Sequence, residues 1–218
     1  YMNITYKTIA SMDYLINKEN VEIENDIVYV KGSESYMNIT YKTIASMDYL
    51  INKLNKKYDF VIRSNMSTFL NLIQLYNNIL KLPKNNVYTG GLLHRNLHHI
   101  NKQYGQLDER YFGLNYASGT CIILSNDIVN GIIKNINKIN MNIIDDVTLS
   151  IYIRQFYISA YTNQHKYKQS FIGQPPIDYH KLSVNEMLKY TLIRTVNATN
   201  ISQYGLMYEL QEAYNSKQ

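Results

Sequence analysis

Residues 58–69 read Tyr58-Asp59-Phe60-Val61-Ile62-Arg63-Ser64-Asn65-Met66-Ser67-Thr68-Phe69. The apolar run Phe60-Val61-Ile62 predicts a short buried strand. It stops at a polar cluster, residues 63–68. From Phe69 a helical spacing takes over, through Leu70, Ile73, Leu75, Tyr76, Ile79 and Leu80, and predicts a helix over 67–81 that ends before Pro83. Small hydroxyl and amide side chains therefore sit at the carboxyl end of a strand and just ahead of a helix. Open α/β sheets bind their ligands at that place. Helix N-terminal N–H groups and a neighbouring arginine suit a phosphate. The same residues also suit a plain strand-to-helix turn with Ser67 or Thr68 as the N-cap.

Working outward, residues 1–18 and 36–53 are the same sequence, YMNITYKTIASMDYLINK, letter for letter. Solenoids need several diverged copies stacked on a common core, and two perfect copies do not make one. Either copy can form a helix, since Ile4, Ile9, Met12, Leu15 and Ile16 make an apolar stripe in the first. Only the second leads into the strand at Phe60, so 36–53 is the expected native helix, and 1–18 is extra or stands where another element belongs. Between them, Val21-Glu22-Ile23 and Ile27-Val28-Tyr29-Val30 read as strands ended by Gly32-Ser33.

Further on, Val87 to Gly91 reads as a short strand, 92–110 as a long polar loop, and 117–124 as a strand containing Gly119. Ser125 then caps a helix with Ile128, Val129, Ile132, Ile133 and Ile136 on one face. A helix opens at Asp145-Asp146. Phe171-Ile172-Gly173 reads as a last strand, and the tail from Ser183 as patchy helix, with Gly205 setting off a final one. Strands alternating with helices predict one α/β domain over 19–218, with helices on the faces of a sheet.

The composition bounds the chemistry. A chain of 218 residues, 45% hydrophobic, buries a sizeable core. Its net charge of +5 is spread along the chain rather than clustered, so a nucleic-acid partner is not expected. Cys121 is the only cysteine, which excludes an internal disulfide and a cysteine-rich zinc site, and its apolar surroundings predict a buried, inert thiol. No apolar run approaches the roughly 20 residues of a membrane helix, and no signal peptide is visible. The bias to Asn, Ile, Lys and Tyr is what an AT-rich genome encodes, such as that of a large DNA virus or an AT-rich microbe. For a viral product, a soluble protein of the host-cell cytoplasm is expected.

Asp145-Asp146 is the only adjacent acidic pair in an apolar setting. Acids at a helix start cap it and complement its dipole. A carboxylate beside a cleft can also take the proton of an attacking hydroxyl. His94 and His98 have the i, i+4 spacing of a helical metal pair, but their segment, with His99, has no helical stripe and reads as a solvated loop. His180 follows a proline turn. There is no glycine-rich phosphate loop and no nucleophile elbow.

Three separated segments, taken in order, resemble the β-1,3-galactosyltransferase and Fringe-type glycosyltransferases. Residues 59–69 are similar to the strand of that group that ends in its metal-binding acidic triplet. Tyr116-Ala117-Ser118-Gly119-Thr120-Cys121-Ile122-Ile123-Leu124-Ser125-Asn126-Asp127 resembles its glycine-containing strand and serine-capped helix, and Ile144-Asp145-Asp146-Val147-Thr148-Leu149 resembles the acidic pair that opens its next helix. The similarity covers about residues 58–155.

The resemblance implies a GT-A (Rossmann-like) fold, a mixed sheet with helices on both faces. It implies a nucleotide-sugar donor at the strand ends, with Mn²⁺ or Mg²⁺ on the diphosphate, and a glycan or glycoprotein hydroxyl as acceptor. By position, Asp146, or Asp145 beside it, would be the base. Arg63, Ser64, Asn65 and Ser67 would meet the donor, and Ser118 and Gly119 would border the acceptor. Asn65, Ser67 and His180 would stand where the group holds its metal.

The chain departs from that pattern twice. Asn65, Met66 and Ser67 replace the acids, and neutral ligands hold Mg²⁺ or Mn²⁺ weakly, so Arg63 is an alternative partner for the diphosphate. The region before Glu19 lacks a strongly apolar first strand, which implies an incomplete N-terminal part. The alternative to a transferase is therefore a catalytically inactive GT-A-like domain that binds a glycan or a protein.

Overall fold

The computed structural model describes residues 8–10, 21–24, 27–30, 35, 38–54, 57–65, 68–91, 93–95, 108–168, 182–194 and 203–216. Among these the architecture is mixed α/β, built on small sheets. The central one has three strands: β4 (Phe60–Ser64), β9 (Cys121–Ser125) and β6 (Tyr88–Gly90). β9 lies in the middle and runs antiparallel to both neighbours.

The side chains of β9 explain its place. Alternate residues of a strand point to opposite faces. Ile122 and Leu124 enter one apolar cluster, and Cys121 and Ile123 enter another. The first is completed by helices α1 (Ile39–Asp48), α3 (Asn126–Lys134) and α4 (Asp145–Phe156), through Ile44, Ile128, Ile132, Leu149 and Ile153. The second is completed by α2 (Leu72–Ile79), through Leu75 and Ile79. A strand covered on both faces carries a continuous apolar run, and every residue of β9 is buried. Each large aliphatic side chain so buried contributes about 1.5–3 kcal/mol.

Two expectations fail just beyond β4. The helix expected over 67–81 begins only at Leu72. Thr68–Leu70 is a strand, β5, paired antiparallel with β10 (Leu192–Arg194), so that Phe69 faces Ile193. Phe69 therefore belongs to a third cluster, with Ile193, and with Leu206 and Leu210 of α7 (Gln203–Asn215). Tertiary pairing overrides the helical spacing here. The N-cap is Asn71, whose side chain accepts the Gln74 N–H at 3.2 Å and donates to the Leu188 carbonyl at 2.6 Å.

The strand expected over 117–124 is two strands, β8 (Asn115–Ala117) and β9, with the turn Ser118-Gly119-Thr120 between them. The long loop expected over 92–110 contributes β7 (Leu93–Arg95), which pairs with β8, and a 3-10 turn at Glu109–Tyr111. α5 (Ile158–Lys168), which the sequence reading does not separate, packs against β6 and α4. The tail holds a short helix α6 (Val184–Met187) before β10, and Gly205 lies inside α7 instead of ahead of it. The strand expected at 171–173 lies outside the described residues.

The twin segments differ. The second copy supplies α1, as expected, prolonged by a π-helical stretch at Tyr49–Lys53. In the first copy Thr8–Ala10 is a strand, β1, parallel to β3 (Ile27–Val30), which also pairs with β2 (Val21–Glu24). The same three residues, Thr-Ile-Ala, are helical at 43–45.

Candidate functional site

The strand register brings the site together. In the β4–β9 ladder Arg63 stands opposite Ile122, and Ser64 opposite Cys121. The carboxyl end of β4 therefore lies beside the turn that feeds β9. Ser64 Oγ donates to the Thr120 carbonyl at 2.8 Å. Arg63 reaches the same turn, where its Nη1 donates to the Gly119 carbonyl. A side chain at Gly119 would meet the Arg63 guanidinium and push it aside, so glycine lets the arginine fork reach this turn.

The acidic pair arrives from α4, of which Asp145 and Asp146 are the first two residues. Carboxylates are favoured there by the helix dipole. Arg63 Nη2 pairs with Asp145 Oδ2 at 2.8 Å. Gly119 N–H donates to Asp146 Oδ2 at 3.0 Å, and Val147 N–H to Asp146 Oδ1 at 2.8 Å. Gly119 thus presents its carbonyl to the arginine and its N–H to the second aspartate.

Two threonines of α1 hold the acidic pair from behind. Thr43 Oγ1 donates to Asp145 Oδ2 at 3.3 Å, and Thr40 Oγ1 donates to the Ile143 carbonyl at 2.8 Å. The sequence reading does not single out these threonines. Their three-residue spacing on the face that carries Ile44 is the only signal they leave, and the first copy shows the same signal.

The two acids are not equivalent. Asp145 is 1% exposed and ion-paired, whereas Asp146 keeps 9% of its surface. Burial, and then the charge of Asp145, push the Asp146 carboxyl up to about 6; the Gly119 N–H, Arg63 and the Val147 N–H pull the other way. A base that titrates near working pH is ionised yet holds a proton better than an ordinary carboxylate. Ser118 is buried in the turn, its Oγ accepting the Thr120 N–H at 3.3 Å. The buried Thr120 hydroxyl has no hydrogen-bond partner among the described residues.

Residues 7–164 match the galactosyltransferase family model. The chain belongs to the galactosyltransferase family. This membership supports glycosyl transfer of the hexosyl class, and the matched span holds Arg63, Asn65, Gly119, Asp145 and Asp146. A comparison with curated proteins returns no match. Among the described residues no helix of this galactosyltransferase-family chain is long and apolar enough to cross a membrane.

The donor set for a divalent cation can be tested on the side chains. Mg²⁺ and Mn²⁺ want several hard oxygens, preferably carboxylates. Among the described residues no group of three or more His, Cys, Asp or Glu is placed to hold a metal ion. Asn65 Oδ1 accepts the Thr68 hydroxyl at 2.6 Å, Asp145 is held by Arg63, and Asp146 by two backbone N–H groups. The described residues do not fit such a cation. Ser67 and His180, which the resemblance places at a metal, lie outside the described residues, as do His98 and His99; His94 falls in β7.

Proposed function

We propose that this chain is a GT-A-type transferase. It moves a hexosyl group from a nucleotide-sugar donor to a hydroxyl of a glycan or glycoprotein, with Asp146 as general base. The observation that carries this reading is the meeting of Asp146, Gly119, Asp145 and Arg63 at the carboxyl end of β4. The donor lies against Ser64, Asn65 and Ser67, and the acceptor against Ser118 and Gly119. The acceptor oxygen attacks the anomeric carbon and its proton passes to an Asp146 oxygen. The bond from that carbon to the diphosphate oxygen breaks, and the electron pair leaves with the nucleoside diphosphate. Asp145 is paired with Arg63 and orients the helix start.

The test is an assay of sugar release and transfer from UDP- and GDP-sugars, run with Mn²⁺, with Mg²⁺ and with chelator, on the wild type and Asp146→Asn. A positioned general base is worth about 100- to 10,000-fold, so the variant should bind donor and lose turnover by at least about 100-fold. Equal turnover in both proteins overturns the assignment. The second reading, an inactive domain that binds a glycan or a protein, is favoured by the neutral Asn65-Met66-Ser67. Saturable glycan binding with no donor binding in any metal condition would select it.

A further inference from the structure

We propose that Arg63 is a positioning residue which makes the two aspartates unequal, engaging Asp145 in an ion pair and setting the Gly119 turn so that its N–H meets Asp146. The proposal rests on the reading of Asp146 as base and assigns Arg63 a different task from the donor contact that the resemblance implies.

Both ends of the guanidinium are committed. Nη2 sits on Asp145 and Nη1 on the Gly119 carbonyl. The carbonyl it holds and the N–H that reaches Asp146 flank one α-carbon, so the arginine fixes the turn by its fork geometry as well as by its charge. A lysine would supply the charge at one point but could not span both partners.

Among the described residues, the groups shown to act on Asp146 are Asp145 from its own helix, Arg63 from β4, the buried Tyr88 phenol from β6 and the uncharged Gly119 and Val147 N–H groups; the Thr43 hydroxyl of α1 reaches Asp145. Burial pushes the Tyr88 phenol far up, so it stays neutral. Arg63 is then the one cation among those groups. Without it, two adjacent buried carboxyls oppose each other's ionisation, and the pair shares a proton near neutrality.

The consequence appears in the pH profile. In Arg63→Met the acid limb of kcat/KM should move up by about one pH unit, because the charge of Arg63 lowers the Asp146 carboxyl and an opposite charge nearby does so by roughly 1–3 units. Activity at pH 6.5 should fall at least about threefold and return at pH 9, where Asp146 is again ionised. Arg63→Lys should restore the limb in part. Gly119→Ala, which displaces the fork without removing a charge, should lower kcat with a smaller shift. A merely structural arginine would lower activity evenly across pH.

The carboxyl titrations should also be followed directly, by carbon NMR of Asp-labelled wild type, Arg63→Lys and Arg63→Met, with Asp146→Asn used to assign the signal. If the Asp146 titration rises in Arg63→Met, or in Arg63→Lys should the methionine variant not fold, the positioning role stands even in a chain that transfers no sugar; loss of activity alone then counts against the function and not against Arg63. An Asp146 titration that stays put in a folded variant overturns the proposal.

Discussion

Asp145 and Asp146 are chemically identical neighbours, yet their environments predict opposite results for the same substitution. Asp146→Asn removes a buried carboxyl that is pushed up to about 6 but leaves an oxygen for the Gly119 or Val147 N–H. The sign follows from linkage. A carboxyl raised above its ordinary value near pH 4 holds its proton more firmly in the folded state, so its contribution is full below about pH 4 and is lost as pH rises through about 6. The asparagine variant escapes that loss. Relative to wild type it should be more stable at pH 8 than at pH 4, by on the order of 2–3 kcal/mol, read from thermal unfolding at the two pH values. A difference that does not depend on pH would mean that Asp146 titrates like a surface acid. Asp145→Asn acts the other way. It strands the mostly buried Arg63 cation and should cost about 3–5 kcal/mol in denaturant unfolding at pH 7; a cost under about 1 kcal/mol would put the pair in the class of surface ion pairs. The acidic pair is legible in the sequence because acids at a helix start are a local signal; Gly119 stands out as a glycine in an apolar run, but the turn it makes there is not legible, since the run reads as one strand. The engagement of Arg63 is not, because it depends on the register that sets Arg63 opposite Ile122. Thr43 is hidden for a related reason: nothing near it in the chain says that α1 lies against α4.

At the scale of elements, context outweighs local preference. Thr-Ile-Ala is a strand at 8–10 and a helix at 43–45 within identical flanks. The shared segment mixes β-branched Ile and Thr with good helix formers, so neither state is strongly preferred. The helix is fixed by Ile44 and Met47 in the main cluster and by Thr40 and Thr43 on the lead-in to α4. The strand is fixed by pairing with β3. A peptide of residues 36–53 should therefore show little helix by circular dichroism in water, since short isolated helices are marginal without tertiary packing. A strongly helical spectrum would mean that β1 forms against a local preference and that its ladder is stronger than three paired residues suggest. The misplaced start of α2 has the same physics. Phe69 and Leu70 fit a helical spacing, but Ile193 pairs with Phe69 from more than a hundred residues away, and Asn71 then caps the helix that remains. By contrast, β4, β6, α3 and α4 are legible from their own residues, because each is an apolar run or stripe with a clear stop, although β4, expected as a buried strand, is only half-buried along its length.

At the scale of the whole molecule, β9 ties the site to the core. Its first residue, Cys121, follows the Gly119 turn directly and is buried between β4 and β6 in the cluster that α2 covers. Burial pushes its thiol up to about 12, only partly offset by Arg63 and a Gly91 N–H. The thiolate is the reactive form, so a folded chain should label very slowly with a thiol reagent at neutral pH. Labelling then requires an opening that separates β9 from its neighbours, and its rate follows the population of the open state when reclosing is fast. The central strand should open only with global unfolding, which makes the single thiol a gauge of overall stability that needs no ligand or activity. Asp145→Asn, at a cost of about 3 kcal/mol, should speed labelling by more than about a hundredfold. Asp146→Asn at pH 8 should slow it, because it removes a buried charge that burial and the neighbouring Asp145 disfavour. If wild-type Cys121 labels as fast as an unfolded peptide, β9 opens locally and the Gly119 turn is not held by the core. If both variants speed labelling alike, the acidic pair acts as one structural unit, and the division of labour between ion-paired Asp145 and titrating Asp146 does not hold.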